Sequence, residues 1–170
     1  MKTILITLSA ILITTFVQAQ DFDKYENNPS VSSVIINKNM FKLMSRFDLD
    51  SQDKEIKEYV KLINNLENMK VLKTNDAKMS KQLNDDAKMY IKNNNLEQLM
   101  RANDDGKQVS FHFKPGKTDD EIQQLFMHVN GIKNGDETVV IMINGLIDLR
   151  QISKLAKDFN MPGADSLNNN

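Results

Sequence analysis

The sequence predicts an α+β domain. It would hold a mainly antiparallel sheet of about five to six strands, with three to four helices packed mostly on one face. Three observations carry this. The first half shows apolar stripes at helical spacing, as at Ile56, Tyr59, Val60, Ile63 and Leu66. The second half alternates apolar and polar residues between turn signals, as at Val109, Phe111 and Phe113. Near the end, Thr138-Val139-Val140-Ile141-Met142-Ile143 is apolar on both faces, a pattern that suits a central strand rather than an edge. Helical segments followed by a run of hairpins make an α+β arrangement rather than alternating βαβ units.

The N-terminus stands apart from this domain. Met1-Lys2-Thr3 is a short positive region, residues 4–16 form a mostly apolar run, and Val17-Gln18-Ala19 places small residues at −3 and −1. This is the layout of a secretory signal peptide over residues 1–19, cleaved after Ala19. The apolar run is shorter than the roughly 20 residues a spanning helix needs, so no transmembrane segment is expected in the mature chain. Export to the periplasm or the extracellular space follows. A polar N-terminal arm, residues 20–30, then precedes a single domain over residues 31–161. Residues 162–170 are expected to form a disordered tail.

Composition narrows the function classes. Cysteine is absent, which removes thiol chemistry, Cys-ligated metal sites and a disulfide framework. Without residues 1–19, whose one charge is Lys2, 21 basic residues face 23 acidic ones. That balance offers no basic footprint for nucleic acid and no polybasic stretch for anionic lipid. A chain of this length holds about one domain.

Each element has its local reason. Phe22 and Tyr25 can pin the arm to the body, and Asn27-Asn28-Pro29 marks a break. Residues 31–36 are β-branched and read as the first strand. Asn37 or Asn39 can cap a helix carrying Met40, Phe41, Met44 and Phe47 on one side. A second helix begins near Asp48-Leu49-Asp50-Ser51, with acidic residues in its first turn. Residues 69–74 form a short strand. A third helix spans about 76–93, with Met79, Leu83, Ala87, Tyr90 and Ile91 inward and Lys78, Lys81, Asp85 and Lys88 outward. Residues 96–103 fit a helical turn or a strand, and the turn Asp104-Asp105-Gly106 favours a hairpin with 107–114. Pro115-Gly116 leads to a strand at 121–129, and Asn134-Gly135-Asp136 leads to the last one. Asn144-Gly145 breaks that strand. Asp148 then caps a closing helix, with Gln151 placed as in a capping box and Leu149, Ile152, Leu155, Ala156 and Phe159 inward.

The candidate sites are few. Ser110, His112 and Lys114 alternate with the apolar residues of their strand, which places them on the solvent face as a contact surface. A hairpin turning near Gly116 would pair His112 with a residue near 120, so His128 should lie well away from it. The group Asp48, Asp50, Asp53 and Glu55 fails the calcium-loop spacing, with Gln52, Asp53 and Tyr59 at positions 5, 6 and 12. Asp119, Asp120 and Glu121 are charges at a turn. The methionines are scattered as core filler rather than clustered as soft metal ligands. Nucleophile-elbow, zincin, phosphate-loop and dinucleotide fingerprints are missing. No catalytic residue, metal ligand or cofactor is assigned.

The strand–helix segment Val34-Ile35-Ile36-Asn37-Lys38-Asn39-Met40-Phe41, the strand Asn68-Met69-Lys70-Val71-Leu72 and the closing Asn144-Gly145-Leu146-Ile147-Asp148-Leu149 resemble the family known as domain of unknown function 4252. The resemblance covers nearly all of the mature chain. It implies a small exported protein of the kind found in Bacteroidetes-type bacteria, encoded in many members beside extracytoplasmic-function sigma factors. It brings no catalytic residues. The expected function is a non-catalytic periplasmic or secreted module that binds an envelope protein or cell-surface component, or regulates an envelope response. The alternative is a hydrolase-like enzyme using carboxylate or metal-assisted chemistry.

Overall fold

A computed structural model describes residues 22–46, 54–104, 106–131 and 137–152. The expected signal peptide, Phe47, the expected start of the second helix, the turn signal at 134–136, Leu155, Ala156, Phe159 and the expected tail lie outside the described residues.

The elements run α1 (Asp23–Glu26), β1 (Ser32–Asn37), α2 (Lys38–Met44), α3 (Lys54–Asn65), β2 (Leu66–Thr74), α4 (Ala77–Asn93), β3 (Glu97–Asp104), β4 (Lys107–Pro115), β5 (Glu121–Gly131) and β6 (Thr138–Asp148), closed by a 3₁₀ turn at Leu149–Gln151. The six strands form one antiparallel sheet in the order β1-β2-β6-β5-β4-β3. The fold is α+β. β3 to β6 form a meander, and its last strand slots between β5 and β2. That interior position is why β6 is apolar on both sides: its even and odd residues enter two different cores.

Local chemistry sets the helix ends. The Asn37 side chain accepts hydrogen bonds from the backbone N–H groups of Asn39 and Met40, so Asn37 is the cap of α2. Asp76 caps α4 by accepting from Met79 N at 2.8 Å. At the other end of α4, Asn95 takes a left-handed φ of 51°. Leu96 N reaches Ile91 O and Asn95 N reaches Lys92 O, the paired bonds that close a helix and bury the following residue. Leu96 is buried accordingly.

The helices divide between the two faces of the sheet instead of collecting mostly on one. Phe41 of α2 with Leu62 and Ile63 of α3 pack on Met69, Phe111, Met127, Ile141 and Ile143. Leu83 and Ala87 of α4, with Phe22 and Tyr25, pack on Leu72, Phe126, Val140 and Met142. The cause lies in the strands. β5 and β6 are buried along most of their length on both sides, and β4 over residues 109–112, so each face needs its own cover. The described part of the arm, residues 22–30, supplies part of one cover, anchored by buried Phe22 and Tyr25.

Asn144-Gly145 does not end β6. The strand runs on to Asp148, with a register shift in its pairing to β2 between Leu66 and Asn68. Gly145 has φ +144°, and a Cβ there would sit 2.4 Å from Asn65 O. The glycine therefore marks a close crossing of β6 over the α3–β2 junction, which leaves no room for a side chain. Asp148 does cap the closing turn, accepting from Arg150 N at 2.9 Å.

Candidate functional site

The two histidines are not where alternation alone placed them. The β4–β5 connection is longer than a tight turn at Gly116, and His112 pairs with Phe126 while Ser110 pairs with His128. The histidines are thus diagonal neighbours on one face. That face is covered: Ser110, His112 and His128 are all buried, at 6, 7 and 5% exposure. Of the three expected contact residues, only Lys114 is exposed.

These imidazoles are committed to the interior. His128 Nε2 lies 2.6 Å from Asn84 Oδ1, so Nε2 carries the proton and donates. Asn84 in turn donates to Thr138 Oγ1 at 3.4 Å. Burial, with smaller contributions from Lys88 and His112, drops the His128 pKa to about 4. Burial and then Arg101 lower that of His112, whose Nδ1 has no hydrogen-bond partner among the described residues. Both rings are neutral at pH 7, in a position to pack and to bridge rather than to exchange protons with solvent.

Several acidic groups also have structural duties. Among the described residues, no three His, Cys, Asp or Glu side chains are close enough to hold a metal ion. Asp48, Asp50 and Asp53 lie outside the described residues. The Asp120 backbone carbonyl accepts from Leu149 N at 2.8 Å and ties the β4–β5 loop to the end of β6. Asp86, beside the inward Ala87, is buried; it accepts from Tyr25 Oη at 2.6 Å and pairs with Lys24.

What sequence reasoning missed is a polar row across the sheet. Asn68 on β2 pairs with Asn144 on β6, Asn144 with Gln124 on β5, and Gln124 with Lys114 on β4. Their side chains join as a relay. Gln124 Nε2 donates to Asn144 Oδ1 at 2.6 Å, and Asn144 Nδ2 donates to Asn68 Oδ1 at 2.7 Å. Gln124 Nε2 also donates to Tyr90 Oη at 2.9 Å, which fastens the row to the last turns of α4. Tyr90 itself is held by stacking on Phe126, with ring centroids 5.1 Å apart.

This row lies along a cleft of about 540 Å³, bounded by Glu67, Lys114, Lys117 and Glu121 and by exposed Leu146. Gln124 is buried and Asn68 is exposed, so the relay runs from the interior to solvent. Neither histidine lines it. Two carboxylates do, Glu67 and Glu121, but without an imidazole beside them. The arrangement can donate and accept several hydrogen bonds at fixed positions. The available sequence signal was an amide in each of three strands: Asn68 in LENMKVL, Gln124 in EIQQLFMH and Asn144 in VIMINGL. Nothing in the chain order shows that they meet.

A family model described as "Domain of unknown function (DUF4252)" matches residues 25–155. No significant match is found to a curated protein or to a solved structure. No helix among the described residues is long and apolar enough to cross a membrane.

Proposed function

We propose, from the premise that this chain belongs to the DUF4252 family of domains of unknown function, that it is an exported, non-catalytic binding module whose recognition site is the amide-lined cleft. The observation that carries the proposal is the relay Gln124–Asn144–Asn68 held in register on three strands. Fixed amides in a partly buried cleft recognise a ligand by hydrogen bonding, at little further entropic cost because the sheet has already ordered them. The buried, neutral histidines fit the same view, since they supply no acid–base pair to that cleft. Glu67 and Glu121 are the residues through which the hydrolase alternative would have to act. The signal-peptide layout of residues 1–19 supports placement in the periplasm or outside the cell, where the partner would be an envelope protein or cell-surface component.

Affinity capture from envelope extracts tests both halves. The mature chain, expected to begin at Gln20 by N-terminal sequencing, should retain an envelope component. A Gln124→Leu/Asn144→Leu double variant with an unchanged circular dichroism spectrum should lose it. Equal retention by the two proteins would remove the cleft as the binding site.

A further inference from the structure

We infer that the ligand of the cleft is a neutral saccharide, gripped through its hydroxyl groups by the amide row. This rests on the cleft being a binding site and goes on to say what binds there.

Charge gives the first constraint. The charged residues around the cleft are two lysines, Lys114 and Lys117, and two glutamates, Glu67 and Glu121. Their formal charges cancel, so the cleft holds no net field to attract a phosphate or a polyanion. The second constraint is the kind of hydrogen bond on offer. A primary amide both donates and accepts within one group, and so does the Tyr90 hydroxyl. Hydroxyls have the same double character, and a ring bearing several of them can take and return bonds along such a row. The relay leaves capacity for this. The described bonds use Asn68 only as an acceptor, and they use one of the two N–H groups of Asn144.

Geometry supplies the third. Neighbouring strands lie about 4.8 Å apart, so the three amides span roughly 10 Å across the sheet. A ligand lying along the row meets a series of polar groups, as a short oligosaccharide would require. Leu146, 45% exposed at the same cleft, offers an apolar contact suited to the C–H face of a sugar ring. An extended peptide bound through its main chain would need an open sheet edge. β2, β6 and β5 are interior strands, each flanked on both sides, so none of them presents an open edge here.

The test is a titration of the ¹⁵N-labelled mature chain, following the side-chain NH₂ signals of Asn68, Asn144 and Gln124. The probes are chitotriose and maltotriose in separate arms, with inorganic phosphate and a trialanine peptide as comparisons. Saturable shifts of those signals are expected with at least one saccharide and not with phosphate or the peptide. Asn68→Ala is an exposed change that keeps the fold; it should weaken saccharide binding about fivefold through loss of one hydrogen bond. Two results would overturn the inference: no shift from either saccharide at millimolar concentration, or equal shifts from the peptide. If the saccharides fail while the double leucine variant still loses its captured envelope component, the ligand class falls and the binding site stands. If both fail, the cleft is not a binding site.

Discussion

The two faces of the sheet are held by different physics. The core under α2 and α3 is built of apolar side chains, from Met69 through Ile143 to Phe111. The face under α1 and α4 mixes an aromatic core with polar groups. Among the described residues, every buried polar or charged one but Ser45 belongs to this second side, including Asp86, Ser110, His112, Gln124 and His128. Most of them meet α4 or the arm through named bonds: His128 and Thr138 with Asn84, Gln124 with Tyr90, and Tyr25 with Asp86. Shape complementarity seats α2 and α3. Hydrogen bonds add direction to the seating of α4, because a misplaced helix would leave buried polar groups unpaired. The amide cleft opens at the C-terminal end of that same helix. The polar face therefore joins the orientation of α4 to the geometry of the candidate site.

The largest effect should come from the apolar side. Phe111→Ala removes a fully buried ring in the α2–α3 core and is expected to destabilise the fold by about 3–5 kcal/mol. A urea denaturation midpoint measures this. A loss below about 1 kcal/mol would show that the apolar core repacks easily, and the contrast between the faces would weaken.

The polar side should respond to pH in a way the apolar side cannot. His128 titrates near 4 in the folded chain and near its ordinary 6.5 when unfolded, so the unfolded state binds more protons between those values. Stability is complete above about pH 6.5 and declines as pH falls toward 4, by roughly 3 kcal/mol from this group. His112 adds to the decline in the same direction. Melting temperatures at pH 7, 5.5 and 4 should show the loss, and His128→Gln should flatten most of the upper part of it. An unchanged slope in that variant would mean that protonation of His128 is not what loosens α4.

The smallest effect is a single bond between arm and helix. Tyr25→Phe deletes the hydroxyl that donates to Asp86 Oδ2 and leaves a buried carboxylate one partner short, with Lys24 still paired. A loss of about 1–2 kcal/mol is expected, together with faster hydrogen exchange in α1. Exchange that speeds up in α2 instead would contradict the division between the faces.

Much of the fold was legible in the chain. The α4 stripe at Met79, Leu83 and Ala87, the Asn37 cap of α2 and the hairpin at Asp104–Lys107 all stand as alternation and capping rules imply. Less of the candidate site was legible. Asn84 and Asp86 flank the stripe by one position, and a helical wheel cannot say how wide the buried sector is. Ser110 and His112 alternate with apolar residues, which means solvent only if the other face of the sheet is bare. Here α4 and the arm cover that face, so the same pattern marks buried polar groups. The position of His128 depended on the length of the β4–β5 loop, which alternation leaves free within a few residues.

The chain alone carries the kind and order of most elements, the caps at Asn37 and Asp148, and the central, doubly buried character of β6. Those follow from side-chain periodicity and from short-range bonds within a few residues of chain. The tertiary structure alone decided that the helices would cover both faces, that the histidines would be neighbours in the interior, and that Asn68 and Asn144, 76 positions apart, would join with Gln124 in one relay. The physical reason is that cross-strand neighbours are fixed by strand order and register. Both are set by the burial of the whole sheet, and no short stretch of the chain contains them.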